Sequence, residues 1–266
     1  MRIIILGASG ALGTELKDVL RDYDVYAPSR TDLDITDYGK ISKKLHEADP
    51  EIVISTVAYH DMDKCEKNPK KAFELNAFAT KNLAEVCLDV GATLVWISTN
   101  YVFSGEDGPY SEERTPDPIS VYGISKLLGE HFIKNILEDY YIVRTAGLFG
   151  PVQSECKSGK NLIDTLKGLD KVKAKTDEFF TMSYTPDCAE AIHEMMLSEE
   201  YGIHHLFNKG RHTVYEIAKH IRPDVEKAKR ADFDDSPIYP KDATLSTLRK
   251  IEIPEVLEAI ERHLYG

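Results

Sequence analysis

An α/β fold is predicted for this 266-residue chain: a Rossmann-type doubly wound parallel sheet with a smaller C-terminal α/β substrate-binding region. Two observations carry that expectation. Short apolar runs alternate with longer amphipathic stretches through the first half, and a glycine-rich turn follows the first run directly. Runs this apolar suit strands covered on both faces, and strands that alternate with helices pair in parallel through right-handed crossovers. Ligands of such a sheet lie at the carboxyl ends of its strands.

In chain order, strands are expected at 3–6, 24–27, 51–55, 93–97 and 140–144, with helices at 11–22, 38–47, 69–89 and 121–137. The second half is less regular. Helices are read at 161–169, 186–197 and Val214–Ile221, short strands at 171–175 and 203–207, and a closing helix at 254–264. Residues 232–242 form a loop rich in Asp and Pro, and 64–71 reads as a solvated helix start. No repeat or low-complexity linker divides the chain.

Composition limits the function classes. A formal net charge of −12 with no long basic run argues against nucleic acid. Hydrophobic residues at 42% and charged residues at 29% exclude disorder. Cys65, Cys87, Cys156 and Cys188 show no C-x-x-C spacing. Neither a disulfide framework nor a cysteine metal site is expected, and a reducing cytoplasm is the simplest compartment. Met1-Arg2-Ile3 leads straight into the first strand without a signal peptide, and no apolar run approaches membrane-spanning length. No membrane partner is expected. His60, His131 and His193 stand apart, and His204-His205 lies in a strand pattern, so no metal is expected.

The strongest local signal is Gly7-Ala8-Ser9-Gly10-Ala11-Leu12-Gly13 after Ile3-Ile4-Ile5-Leu6. Gly7 turns the chain out of the strand, Gly10 lets the backbone approach a pyrophosphate, and Gly13 lets the helix sit close to the sheet. Ser9 is a turn residue here, since the Gly-x-Ser-x-Gly spacing of a hydrolase is absent. The turn predicts dinucleotide binding. Residues 1–149 are thus expected to form the dinucleotide-binding domain, joined by later strands from 171–208, and 150–266 mainly the substrate-binding region, interleaved with it.

The second strand ends in Ala27-Pro28-Ser29-Arg30 with no carboxylate at its tip to accept from a ribose 2′-hydroxyl. Ser29 and Arg30 instead suit a 2′-phosphate, which favours NADPH, with NADH also admitted. Asp34 and Ile35 could reach the adenine, and Asp34 reads equally as a helix-entry residue. After the fourth strand comes Ser98-Thr99-Asn100-Tyr101, and Tyr122 and Lys126 follow four residues apart on one helix face. Carbonyl reduction needs a proton donor to the oxygen while hydride arrives at carbon. A free tyrosine, at a pKa of about 10, exchanges its proton poorly at neutral pH, and a nearby ammonium brings that value down. Thr99 can hold the oxygen from the other side. Thr99, Tyr122 and Lys126 form the expected catalytic group.

This pattern resembles the extended short-chain dehydrogenase/reductases and, within them, the dTDP-4-dehydrorhamnose reductase family. The resemblance runs over essentially the whole chain. It includes Leu33-Asp34-Ile35-Thr36-Asp37, Ala58-Tyr59, Asp63-Lys64-Cys65-Glu66, Asn76, Ser98-Thr99-Asn100-Tyr101-Val102-Phe103, Tyr122-Gly123-Ile124-Ser125-Lys126, Arg144-Thr145, Ser158-Gly159-Lys160-Asn161 and Ser183-Tyr184-Thr185-Pro186-Asp187. It implies an NAD(P)H-dependent reductase of a nucleotide-activated 4-keto-6-deoxysugar. Lys126 would also hold the nicotinamide ribose, Thr56, Val57, Ala58 and Tyr59 would line the cofactor, and Asp63, Thr99, Asn100 and Tyr101 would meet the sugar.

The chain departs from that family at three places. Asn100 stands where the family usually has Asp. Related sugar dehydratases use an Asp-Glu pair at Asn100-Tyr101, so dehydration is disfavoured. Many members carry Trp near Gly147, and the usual arginine pair before a late proline is replaced by Ile238-Tyr239-Pro240. The expected partner is a nucleotide-sugar substrate, with a homodimer left open. The alternatives are a non-catalytic dinucleotide-binding regulatory subunit and an NDP-sugar epimerase.

Overall fold

The computed structural model describes residues 1–151, 161–233 and 239–266; Cys156, Ser158, Gly159, Lys160 and Ile238 lie outside the described residues. Strands β1 (Arg2–Leu6), β2 (Asp24–Tyr26), β3 (Ile52–Ser55), β4 (Thr93–Thr99) and β5 (Tyr140–Thr145) come first in the chain. They are followed by β6 (Gly147–Phe149), β7 (Val172–Lys175), β8 (Phe179–Tyr184), β9 (Gly202–Leu206), β10 (Asn208–Thr213) and β11 (Val225–Ala228). A parallel sheet takes the order β2-β1-β3-β4-β5-β9. Strands β10, β8 and β6 form a second sheet, and β11 pairs with β7.

The sequence explains the main sheet. The apolar runs at β1, β3 and β4 put side chains on both faces, and helices cover each. On one face lie α1 (Ala11–Val19) and a later helix over Thr185–Ser198, where Leu12, Leu16 and Leu20 pack with Cys188, Ile192 and Met195. On the other lie α2 (Tyr38–Ala48) and two helices over Ala79–Val90 and Val121–Ile136, around Trp96, Leu83 and Ile133. This is the doubly wound α/β sheet that the alternating pattern predicts.

Two helical stretches differ from the expected boundaries. Helix α3 (Met62–Lys67) starts earlier than 64 and ends at Asn68, which caps α4 (Pro69–Phe73) by accepting from the Lys71 amide. The single helix expected over 69–89 is then broken by a π turn at Glu74–Phe78 before α5 (Ala79–Val90). Such a turn inserts one residue and is frequent at functional sites. Here it carries the buried Asn76. Helix α6 (Val121–Ile136) follows, with Ser120 as its cap accepting from the Gly123 amide.

In the second half, α8 (Thr185–Ser198) is the helix that covers the main sheet beside α1, while α7 (Leu162–Gly168), α9 (Val214–Ile221) and α10 (Val256–Tyr265) pack on the smaller sheets. Their core gathers Phe149, Ile163, Met182, Ile217 and Ile260.

Gly13 decides how closely α1 approaches the turn that precedes it. A Cβ there would stand 2.4 Å from the Gly7 carbonyl oxygen and 2.8 Å from the Ala8 Cα. Both contacts are backbone and cannot move aside. Gly13→Ala should therefore destabilise the protein by about 1–3 kcal/mol, the usual cost of overpacking, at about 2–4 °C of Tm per kcal/mol for chains of this size class. Thermal unfolding reads it, and an unchanged or raised Tm would contradict the close approach.

Candidate active site

The strand order runs outward in opposite directions from β1 and β3, and a crevice opens between their carboxyl ends, where doubly wound sheets bind ligands. A cavity of about 400 Å³ lies there, lined by Gly10, Ala11, Leu12, Thr56 and Ala58 at one end and by Thr99 and Tyr122 at the other.

The glycine turn forms the first end. Gly7 has φ +86, a region that favours glycine, and a Cβ there would meet Thr56 Oγ1 at 2.5 Å. Thr56 Oγ1 donates to the Gly7 carbonyl at 3.0 Å. Gly10 caps α1 without any side-chain hydrogen bond, and the first turn carries no acidic residue. The first amides of the helix therefore remain available to an anion, with the helix dipole behind them. Ser9 is exposed in the turn, and Gly13 is buried beneath it. Val57, Ala58 and Tyr59 continue the wall. The Tyr59 amide donates to Asn76 Oδ1 at 2.8 Å, and Asn76 Nδ2 returns a bond to the Tyr59 carbonyl at 2.9 Å.

At the tip of β2, Ser29 and Arg30 are exposed. Arg30 faces Asp34, with Nε 3.4 Å from its carboxylate. Asp34 also accepts from the Thr36 amide at 2.9 Å and hydroxyl at 2.7 Å, which hold its carboxyl below the usual range. Ile35 is buried in the core. Asp32, which the strand pattern does not bring to this tip, folds back on it: Ser29 Oγ donates to it at 2.6 Å. A carboxylate thus stands beside Ser29 after all.

At the other end, Thr99 closes β4 and Tyr122 looks across from α6. The surrounding protein pushes the Tyr122 phenol well above its ordinary range, and a hydrogen bond with the Thr99 side chain pulls against that. Lys126, one helical turn on, is fully buried. Its Nζ donates to the Ile97 carbonyl at 2.6 Å and stands 3.5 Å from the centre of the Trp96 ring. Burial pulls the Lys126 ammonium down to about 7, and Glu130 opposes the shift. The expected lowering of the phenol by the ammonium does not appear, because burial dominates at both groups.

Asn100 Nδ2 donates to the Ala243 carbonyl at 2.8 Å, a bond that an aspartate cannot make. The Tyr101 ring meets Tyr122 edge-on at 6.3 Å and Tyr239 at 6.2 Å. A second cavity of about 340 Å³ shares Asn100, Tyr101, Gly147 and Leu148 with the first and is walled by Phe233 and Tyr239. Gly147 lines both, and a Cβ there would meet nothing within 4 Å, so the position is open. Asp63 is exposed at the start of α3, and after burial its charge is the next largest cause of the raised Tyr239 phenol. Among the described residues no group of three or more His, Cys, Asp or Glu could hold a metal ion, and no helix is long and apolar enough to cross a membrane.

A family model described as the RmlD substrate binding domain matches residues 1–252. The spore coat polysaccharide biosynthesis protein SpsK of Bacillus subtilis is 33% identical over 227 residues, covering 83% of this chain and 78% of that protein. A dTDP-4-dehydrorhamnose reductase of Streptomyces griseus is 34% identical, covering 79% of this chain and 71% of that protein. The crystal structure of dTDP-4-dehydrorhamnose reductase from Bacillus anthracis in complex with NADP superposes with a TM-score of 0.91 at 32% identity, covering 99% of this chain and 98% of that one.

The buried Lys126 has a consequence for stability. Its ammonium falls from 10.5 in the unfolded chain to about 7 in the fold. Between those values the unfolded chain holds a proton that the folded one has released, so this group makes stability rise with pH across the window and costs most below it. Lys126→Met should therefore be at least as stable as the parent protein at pH 7, with any gain appearing as about 2–4 °C of Tm per kcal/mol. A variant that melts well below the parent at pH 7 would contradict the desolvation of Lys126.

Proposed function

The chain belongs to the family of the RmlD substrate binding domain, and from that premise we propose that it is an NADPH-dependent oxidoreductase that reduces a nucleotide-activated 4-keto-6-deoxysugar, as dTDP-4-dehydrorhamnose reductases do. NADH remains a usable second cofactor. The observation that carries the reading is that Thr99 and Tyr122 line one end of a cavity whose other end is an uncapped, glycine-lined helix start.

The residues present fit a dinucleotide. Gly7 and Gly13 let the turn and α1 pack where a Cβ would strike Thr56 Oγ1 and the Gly7 carbonyl, and the first amides of α1 suit a pyrophosphate. Val57, Ala58 and Tyr59 would line the nicotinamide half, with Ser29, Arg30, Asp34 and Ile35 toward the adenosine. For Arg30 to grip a 2′-phosphate it must leave Asp34, an exposed contact that holds it weakly. NADPH, when bound, supplies the hydride.

The chain's own groups manage the proton. Tyr122, whose phenol is held above its ordinary range, carries its proton across neutral pH and donates it to the carbonyl oxygen as that oxygen gains charge. Thr99 holds the same oxygen from the β4 side. Lys126 braces this end from below and orients the nicotinamide ribose. Asp63, Asn100 and Tyr101 meet the sugar, and its nucleotide extends past the open position at Gly147 toward the second cavity. On this reading residues 1–149 serve mainly the cofactor and 150–266 mainly the substrate. We assign the protein to the cytoplasm, where buried free thiols such as Cys87 and Cys188 persist, and a homodimer is compatible with the reading.

Nucleotide-4-keto-6-deoxysugars offered with NADPH should be reduced, with loss of the nicotinamide absorbance. Tyr122→Phe should keep its fold and lose about two to four orders of magnitude in kcat, the scale of a positioned proton donor. Near-parental turnover in that variant would remove Tyr122 from the chemistry.

A further inference from the structure

Beneath the cavity lies a buried charged cluster that the reduction does not call for by itself. The Glu130 and Arg144 side chains are each 2% exposed and joined by two bonds, Nε to Oε1 at 2.9 Å and Nη2 to Oε2 at 2.6 Å. Ser98 Oγ donates to the same Oε1 at 2.5 Å. Arg144 Nη1 stands 3.4 Å from His205 Nε2, and His205 Nδ1 stands 2.9 Å from the Ser246 carbonyl. Nδ1 next to a carbonyl carries the proton, which leaves Nε2 to accept from Arg144. Burial holds His205 down to about 4, in keeping with a neutral ring.

A buried ion pair is weak grounds for stability, because apolar residues of the same volume often serve as well. The neighbours of this pair suggest another reason for it. Ser98 precedes Thr99 on β4. Arg144 precedes Thr145, which lines the cavity. Glu130 stands one turn after Lys126 and two turns after Tyr122 on α6. One carboxylate therefore ties together the three elements whose ends make the site.

We propose that Glu130 is a positioning residue for the reduction: its carboxylate supplies the counter-charge that keeps Lys126 an ammonium and locks the ends of β4 and β5 to α6, so that Thr99 stays opposite Tyr122. This rests on the reading of Thr99, Tyr122 and Lys126 given above. Lys126 is met from β4 by the neutral Trp96 ring and Ile97 carbonyl, and on its own helix the neutral Tyr122 stands one turn before it. On β5 the Arg144 cation is spent on Glu130, and on β9 His205 is neutral. Among the described residues Glu130 is the charge that works against the desolvation of Lys126.

Glu130→Gln removes the charge and keeps the shape, but it leaves Arg144 buried without its partner and can unfold the protein. The double variant Glu130→Gln/Arg144→Gln removes both charges and keeps hydrogen-bonding groups in place. Two readouts apply: the pH profile of kcat, and titration of Lys126 by NMR in protein carrying 13C at the lysine ε carbons, its signal assigned by loss in Lys126→Met. The double variant should melt close to the parent. Its Lys126 should titrate about one pH unit lower, the scale of one neighbouring charge, and the alkaline limb of kcat should move down with it. At pH 8 kcat should fall about tenfold, as one pH unit requires, with KM little changed. A purely structural role predicts instead that the double variant regains parental kcat and an unmoved Lys126, and either result would overturn the proposal. If the parent protein reduces no 4-keto-sugar nucleotide, the functional reading fails, while the NMR titration still decides whether Glu130 sets the charge of Lys126.

Discussion

A side chain at position 123 would carry its Cβ to 2.1 Å from the Tyr101 carbonyl oxygen, so α6 can lie against the end of β4 only because that residue is glycine. The same demand recurs two turns on, where a Cβ at Gly129 would stand 2.5 Å from the Asn76 carbonyl oxygen and 2.8 Å from the Trp96 ring. Close packing of one helix on one strand end thus sets the site. It brings Tyr122 across from Thr99, presses Lys126 onto Trp96, and lets Ser125 accept from Asn76 at 3.0 Å. The π turn that carries Asn76 belongs to the same arrangement, since Asn76 also fastens the loop beyond β3 through Tyr59.

Packing this tight desolvates the groups it covers, and the electrostatics follow from that. Burial favours the neutral form of each isolated group, so the phenol of Tyr122 rises and the ammonium of Lys126 falls. A tyrosine that keeps its proton suits donation to an oxygen gaining charge. It suits proton abstraction poorly. The opposite end of the cavity is built on open donors rather than charge: the uncapped start of α1 offers amides and a dipole to a phosphate without any buried cation. One site can therefore hold an anionic cofactor and a neutral proton donor within a cavity of about 400 Å³.

Much of this was legible in the sequence because it depends on short-range rules. Parallel strands buried on both faces are continuous apolar runs, and β1, β3, β4 and β5 stand close to where those runs lie. The glycine turn declares itself by spacing, as do Tyr122 and Lys126. What escaped depends on partners far along the chain. Strand β10 carries Lys209, Arg211 and His212 and has no apolar pattern, yet it pairs with β8 because its backbone completes the smaller sheet. Strand β6 is too short to announce itself. The break between α4 and α5 needs one inserted residue, which periodicity does not register. Arg30 turns back on Asp34, and Asp32 reaches the strand tip through a tight turn, contacts that the order of residues alone does not declare. Glu130 reads as an ordinary helix position until Arg144 is brought against it from another strand.

Delivery of hydride to the sugar carbonyl carbon can be read directly with NADPH deuterated at the transferred position of the nicotinamide C4 and a nucleotide-4-keto-6-deoxysugar. Mass spectrometry and NMR of the product should find one deuterium, bound at C4 of the sugar, with one NADP+ formed per molecule reduced. A product without deuterium, or an altered sugar formed with no net consumption of NADPH, would contradict reduction at this site and would point to epimerisation instead.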